Sequence, residues 1–205
     1  TMVPLRARYR PVTTPLDGML GAITQYFNFE RADRDTIERS LLARWKNGRN
    51  DKQGRTWVAG VAEWLRPLGP MSDVPIGPSG IRFVLDTIET RRMVQRYTLR
   101  RIARGRPILL WLDDLHNCTD ATVDKLLDYH ADETDQRMML VATVRSEEIQ
   151  REEATAARLQ RLIRGYGGDV IEVKSMAAEV TCELLRASLP LEDAELGRQV
   201  GLQRA

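Results

Sequence analysis

Hydrophobic and polar positions follow two different periods along the chain, and the change between them predicts a mixed α/β fold. The segment Val3–Tyr9 alternates apolar and basic residues, which is typical of a short strand. Three stretches follow in which apolar residues recur three or four positions apart, as in amphipathic helices. Asp33 is in place to cap the second helix, and the polar stretch Lys46–Arg55 predicts a loop before the third. The apolar positions are Leu16, Met19, Leu20, Ile23 and Phe27; Ile37, Leu41, Leu42 and Trp45; and Trp57, Val61, Trp64 and Leu65.

A proline- and glycine-rich stretch, Pro67–Gly80, interrupts this pattern and excludes regular structure there. We take it as the internal boundary of the chain. It separates an N-terminal strand and helical part (residues 1–80) from a second α/β part (residues 81–205), both within one module. The second part is predicted to open with a helix over Ile81–Ala103.

Strands then alternate with helices, which implies a mostly parallel sheet. Ile108–Leu112 and Met138–Val144 are continuous apolar runs, as expected for neighbouring strands that are covered on both faces. Val170–Val173 predicts a third strand of this part. Helices are predicted to begin at Thr119 or Asp120, and over Ser146–Ile163, Ala177–Ser188 and Glu192–Val200.

Composition narrows the function classes. The 205 residues are 42% hydrophobic and 29% charged with a net charge of +2, a globular balance without a strong field for nucleic acid or anionic membranes. Cys118 and Cys182 cannot build a disulfide framework, and His116 and His130 leave little room for a zinc enzyme. The sequence shows neither a transmembrane run nor a signal peptide, so we expect a cytoplasmic protein with no membrane partner.

The candidate chemistry begins where Ile108–Leu112 ends in Asp113 and Asp114. An apolar strand followed by two acidic residues is the Walker B pattern, and ligands of α/β proteins bind at the carboxyl edge of the sheet. Asp113 would hold a hydrated Mg²⁺ that bridges nucleotide phosphates, and Asp114 would act catalytically by polarising the attacking water. The alternative is a strand that simply runs into an acidic turn.

The next apolar strand ends in a matching way, with Thr143 and Arg145. Neighbouring parallel strands would bring these residues close to Asp113. A guanidinium makes paired hydrogen bonds to phosphate oxygens, so Arg145 is the candidate reader of a γ-phosphate, with Thr143 as a second cofactor-binding residue. The alternative is an ion pair with Glu147 or Glu148.

Together, Trp111–His116, the helix that follows and Leu140–Glu148 resemble the signal-transduction ATPases with numerous domains, which are AAA-like regulators. In large bacterial proteins this ATPase module is attached to a serine/threonine kinase, a cyclase or a LuxR-type DNA-binding domain. The resemblance implies a three-layer parallel sheet of P-loop type, with ATP and Mg²⁺ as cofactors. It also implies a covalently attached output domain, a possible homo-oligomer, and a phosphate-side or structural role for His116.

The sequence departs from that family at its central motif. A P-loop of the form Gly-x-x-x-x-Gly-Lys-[Ser/Thr] does not occur, and the nearest candidate, Gly48–Thr56, has the wrong spacing and no preceding strand. We therefore expect an incomplete module without the first strand and P-loop and with an extra helical insertion, either a fragment or a degenerate copy. The ATPase activity rests on the resemblance, and this chain alone is expected to be inactive.

The leading hypothesis is an ATP-dependent regulatory switch module of a larger bacterial signalling protein. One alternative is a degenerate, non-catalytic module for protein–protein interaction. Another is a DNA-associated transcriptional regulator that would use the seven arginines of Arg91–Arg106, although a solvated helix face explains them as well.

Overall fold

The structure is a computed structural model, which describes residues 1–12, 14, 17–45, 51–68, 76–131, 137–174, 176–177, 180–181, 183–184 and 187. The chain forms two compact units, Thr1–Gly168 and Asp169–Ala205. The candidate chemistry described above lies within the first unit. The predicted helix Glu192–Val200 lies outside the described residues.

A three-stranded parallel sheet organises the first unit, in the order β1 (Val3–Arg8), β2 (Ile108–Asp113) and β3 (Met138–Ala142). The prediction that the two apolar runs form neighbouring parallel strands is confirmed, with Leu110 opposite Leu140. The early strand is confirmed as well and pairs with the other side of β2, with Arg8 opposite Asp113. The carboxyl ends of all three strands therefore meet at one edge of the sheet.

The two faces of the sheet differ sharply. One face carries Leu5, Leu110 and Leu112, which are buried at 2% exposure or less and belong to the hydrophobic core that the helices cover. On the opposite face, Trp111 and Val141 are 42% and 41% exposed. Within the described residues that face is open, whereas the sequence predicted cover on both faces. The fold is thus mixed α/β, and its sheet alone does not distinguish a P-loop type.

The three predicted N-terminal helices are α1 (Gly18–Phe27), α2 (Arg34–Arg44) and α3 (Lys52–Leu65). Asp33 caps α2, since its carboxylate accepts a hydrogen bond from the Thr36 N–H, as the sequence predicted. Asp51 caps α3 in the same way through Gly54. The predicted loop Lys46–Arg55 is therefore wrong over its last residues, because this cap starts the helix at Lys52.

The next helix, α4 (Ile88–Ala103), is shorter than predicted. Residues 81–87 are irregular, because Thr87 caps α4 through the Thr90 N–H and thereby fixes its start. A 3-10 turn, Leu115–Asn117, follows β2 and leads into α5 (Asp120–Ala131), in agreement with the predicted start at Thr119 or Asp120.

The helix predicted over Ser146–Ile163 is two helices, α6 (Ser146–Arg151) and α7 (Glu153–Tyr166). The break lies at Glu152, whose backbone is extended. In the second unit, the predicted strand Val170–Val173 is wrong, since these residues lie outside any strand and Ile171 is 86% exposed. Within the predicted helix Ala177–Ser188, the described residues 180–181, 183–184 and 187 are helical, whereas Ala177 is not.

A buried ion cluster, which we call the Glu38 cluster, joins α2, α3 and the chain ahead of α4. It consists of Glu38, Arg34 and Glu63, whose side chains are 0%, 11% and 12% exposed. Arg34 lies between the two carboxylates, and Glu38 also accepts a hydrogen bond of 2.8 Å from the N–H of Ser79. This cluster fastens the end of the proline-rich stretch to the helices.

Candidate functional site

The candidate site lies at the carboxyl edge of the sheet, where β2 ends in Asp113. The Thr143 hydroxyl donates a 2.9 Å hydrogen bond to Asp113 Oδ1 and accepts one of 3.1 Å from the Asp114 N–H. The backbones meet here too, since the N–H of Leu115 donates to the carbonyl of Thr143. Thr143 therefore positions both acidic residues, whereas the sequence predicted a cofactor-binding residue that lies close to Asp113.

Asp114 turns the chain out of the strand. Its φ of 56° is left-handed, a conformation that aspartate tolerates better than most residues. This turn leaves the carboxylate near two guanidinium groups, 3.9 Å from Arg145 Nε and 3.6 Å from an Arg8 nitrogen. The sequence predicted that Asp113, Asp114 and Arg145 lie at one edge of the sheet, and the structure places them there.

Sequence reasoning missed two arginines of this edge, which come from β1. Arg6 Nη2 lies 2.6 Å from Asp113 Oδ2, and the Arg6 guanidinium also stacks over the Trp111 ring at 4.6 Å. Arg8 approaches Asp114. The signal was present in the alternating pattern of Val3–Tyr9, because basic residues two apart on a parallel strand share one face.

The hydrogen bonds and charges at this edge favour the ionised form of Asp113. The hydrogen bonds from Arg6 and Thr143 hold the pKa of Asp113 below its usual range. Three guanidinium groups (Arg6, Arg8 and Arg145) surround two carboxylates, which leaves one excess positive charge. All three arginine side chains are at least half exposed, whereas the two acids are 18% and 22% exposed. The site therefore presents solvated cations around a shielded acidic pair.

The His116 ring makes its hydrogen bond to Asn117 and none to the acidic pair. Its Nε2 lies 3.2 Å from Asn117 Nδ2, and the same amide group donates to the carbonyl of Tyr9. The other ring nitrogen, Nδ1, is buried without a hydrogen-bond partner. These contacts tie the 3-10 turn to the end of β1, which suits a structural role.

Four arginines of the basic stretch Arg91–Arg106 contact other parts of the protein. Arg92 pairs with Asp128 of α5, and Arg101 donates to the carbonyl of Trp45 and stacks on its ring. Arg104 donates to the carbonyl of Arg44, and Arg91 to that of Leu85. These four side chains thus have partners within the protein, although Arg91 and Arg104 are exposed, and the structure adds nothing to the hypothesis of DNA binding.

Two features are absent from the described residues. They contain no group of three or more histidine, cysteine, aspartate or glutamate side chains that could hold a metal ion. Nor do they contain a helix with the length and apolar character needed to cross a membrane. Comparison of the chain with protein-family models, with curated proteins and with solved structures gives no match.

Proposed function

We propose that this chain carries the metal-binding and phosphate-sensing part of an ATP-dependent switch module, with a P-loop-type fold, in a cytoplasmic bacterial regulator. The observation that supports this is the cluster of Asp113, Asp114, Thr143 and Arg145 at the carboxyl ends of two neighbouring parallel strands. That edge is where α/β proteins bind ligands. The output would be a covalently attached kinase, cyclase or DNA-binding domain.

On binding, the proposed ligand would replace the ion pairs between the arginines and the acids of this edge. Without nucleotide, Arg6 and Arg8 neutralise the two carboxylates. Mg·ATP offers each group a stronger partner, because Mg²⁺ takes carboxylate oxygens and phosphates take guanidinium groups in paired hydrogen bonds. The excess positive charge of the edge suits an anionic complex better than a bare cation. Such an exchange would pull on β1 and β3 and could pass nucleotide state to an output domain.

Each residue has a separate part in this proposal. Asp113 holds Mg²⁺, with Thr143 fixing the direction of its carboxylate. Asp114 polarises the water that attacks the γ-phosphate, and Arg145 reads that phosphate. His116 has a structural part, through its contact with Asn117. The sequence lacks a P-loop, so the phosphate cradle has to come from outside these 205 residues.

Binding to this chain is tested by NMR titration with Mn·ATP, since Mn²⁺ broadens signals near its site even when binding is weak. We expect broadening around Asp113 and Thr143, and its loss in Asp113→Asn. The matched control is Asp35→Asn, an exposed carboxylate on α2. Broadening that survives in Asp113→Asn contradicts the proposed metal ligand. Isothermal titration with Mg·ATP should show no micromolar affinity.

Catalysis is tested in the full-length parent protein. Asp113→Asn should lower ATP hydrolysis by roughly 100-fold or more, and ATP affinity by less than about tenfold, because the metal stabilises the transition state more than the bound substrate. An equal loss in both quantities would indicate a general binding defect. Full activity of the variant would overturn the proposed role.

A second candidate, assembly through protein–protein contacts, is favoured by the open face of the sheet. Trp111, Met139 and Val141 are 42%, 52% and 41% exposed there, and Trp111 and Val141 are register partners. Exposed apolar clusters often mark interaction sites. Sedimentation velocity tests this candidate: Met139→Ser should weaken concentration-dependent self-association, and a monomer at all concentrations would exclude a homo-oligomer.

A further inference from the structure

The two outer edges of the sheet differ in the residues whose main-chain groups point outward. In β1, the N–H groups of Val3 and Tyr9 donate hydrogen bonds of 2.8 and 2.9 Å towards the β2 side. Successive residues of a strand direct their N–H and C=O groups to opposite sides, so those of Pro4, Arg6 and Arg8 point away from β2. Proline has no N–H, and charged side chains oppose the approach of another strand. The β1 edge is therefore protected against pairing.

The outer edge of β3 carries neither of these protections. At both ends of β3 an odd-numbered residue bonds to β2, since the carbonyl of Arg137 accepts from it and the N–H of Thr143 donates to it, each at 2.9 Å. The outward groups are therefore those of Met138, Leu140 and Ala142, which are all apolar. Within the described residues, no further strand pairs with this edge. An apolar edge without proline or charge is prone to pair with another strand.

The side chains of β3 set the chemistry of a strand that could pair there. Met139 and Val141 are 52% and 41% exposed on the open face of the sheet, next to Trp111. A strand added to this edge would partly cover both side chains and would also bond the free main-chain groups. Cross-strand pairs of apolar residues stabilise a sheet, so the incoming strand has to be apolar on that face.

The β3 strand itself meets this requirement. When two copies run antiparallel about a two-fold axis at Leu140, Leu140 lies opposite itself and Met138 opposite Ala142. These are the residues with outward main-chain groups, so each of them falls in a hydrogen-bonded pair. Met139 then lies opposite Val141 on the open face. The strand is therefore complementary to a second copy of itself in hydrogen bonding, in side chains and in the absence of charge.

We propose that two copies of this chain associate by antiparallel pairing of their β3 strands, so that two three-stranded sheets become one continuous sheet. The open faces of both copies then lie on the same side and join into one apolar surface. The β1 strand cannot serve in this way, because pairing about its centre would place Arg6 opposite Arg6 of the second copy.

This proposal rests on the second candidate function, assembly through protein–protein contacts, and names its partner and its contact. It does not depend on nucleotide binding. Because β3 has only 5 residues, we expect a weak and reversible dimer.

The register is tested by disulfide cross-linking between the variants Met139→Cys and Val141→Cys. Opposite residues of a non-hydrogen-bonded antiparallel pair have Cα atoms about 4.5 Å apart, which a disulfide spans, whereas position 139 or 141 would lie about 7–8 Å from the same position of the second copy. An equimolar mixture should therefore form more mixed dimer than the half that random pairing gives, and either variant alone should cross-link more slowly. Two controls should give no dimer: Val84→Cys, which is 63% exposed outside the sheet, and the unsubstituted chain, which contains Cys118 and Cys182.

The main-chain contribution is tested by Leu140→Pro. The N–H of Leu140 points away from β2, so proline there removes no hydrogen bond of the sheet but removes those at the centre of the pairing. Sedimentation velocity should show dimerisation weakened by roughly tenfold or more, whereas the matched control Leu140→Val, which keeps the N–H, should associate like the unsubstituted chain. Circular dichroism checks that both variants fold, and the cross-linking result decides if Leu140→Pro does not.

Two results would overturn the proposal in distinguishable ways. A chain that self-associates without an excess of the mixed disulfide would overturn the β3 pairing and leave assembly through another contact standing. A chain that stays monomeric up to about 1 mM would overturn both the pairing and the homo-oligomer, and would leave the edge to a strand of a different protein.

Discussion

Two clusters of arginine and acidic residues in the first unit have the same chemistry and opposite surroundings. In the Glu38 cluster, every side chain is at most 12% exposed, and Arg34 is held by two carboxylates. At the sheet edge, Asp113 and Asp114 are partly shielded, but Arg6, Arg8 and Arg145 are 51%, 57% and 68% exposed. The exposure of the cations is the difference that matters.

This difference separates a structural cluster from one that can exchange partners. Breaking a buried ion pair leaves an uncompensated charge inside the protein, so removing one member of the Glu38 cluster destabilises the fold, and its side chains are not free to bind anything else. An exposed arginine loses little when it leaves a carboxylate, because water replaces the interaction. The arginines of the sheet edge can therefore leave their carboxylates at little cost, which the proposed exchange with Mg·ATP requires.

The largest effect is expected from Glu38→Ala. It removes the acceptor of the Ser79 N–H and leaves Arg34 with one of its two carboxylate partners, so the free energy of unfolding should fall by about 3–5 kcal/mol. Urea denaturation followed by circular dichroism measures this. Asp114→Asn is the control from the other cluster, because asparagine also tolerates the left-handed backbone at this position, and it should cost about 1 kcal/mol or less. Equal losses in the two variants would remove the distinction between the clusters.

A smaller loss of unfolding free energy is expected from Gly77→Ala, which disturbs the Glu38 cluster by crowding and leaves its charges unchanged. A Cβ at position 77 would lie 2.7 Å from Glu38 Oε2, so the carboxylate would have to move away from Ser79. Overpacking of this kind costs about 1–3 kcal/mol. Gly168→Ala is the matched control, since a Cβ there meets nothing within 4 Å. A Gly77→Ala protein as stable as the control would show that the cluster is loosely packed.

Acid titration of Asp113 should show whether its hydrogen bonds to Arg6 and Thr143 lower its pKa, which a fully solvated ion pair would not do. The pKa of Asp113 is held down by Arg6 first and Thr143 second. Its stabilising contribution is therefore present above its unfolded pKa of about 4 and is lost as the pH falls through the lower folded value. Carbon-13 NMR titration of the carboxyl group should show the pKa rising towards its usual range in Arg6→Gln, and by less in Thr143→Val. An unchanged titration in Arg6→Gln would mean that the ion pair is absent in solution.

The smallest effect on stability is expected from Arg145→Ala. Its guanidinium is 68% exposed and 3.9 Å from Asp114, so thermal unfolding should show a change of about 0.5 kcal/mol or less. Arg34→Ala is the comparison, because it removes the central cation of the buried cluster and should cost several times more. A large loss for Arg145→Ala would place it among the structural residues.

The sequence predicted elements correctly where the local pattern of residues agrees with their burial in the fold. The apolar runs of β2 and β3, the cap at Asp33 and the position of Asp113, Asp114 and Arg145 at one edge of the sheet were all predicted correctly. It failed at Val170–Val173, because an apolar, β-branched run becomes a strand only when a partner edge is present. The start of α4 was misplaced because the Thr87 cap was not recognised. The roles of the site residues and the family resemblance remain predictions.

By itself, the sequence determined the local elements and the order in which strands and helices follow one another. Periodicity and capping residues act over a few positions, so they can be recognised without the fold. Only the tertiary structure decided that Arg6 of β1 meets Asp113 of β2, and that Arg34 of α2 meets Glu63 of α3. Those contacts join residues far apart in the chain, and they exist because strand register and helix packing set distances that no local pattern contains.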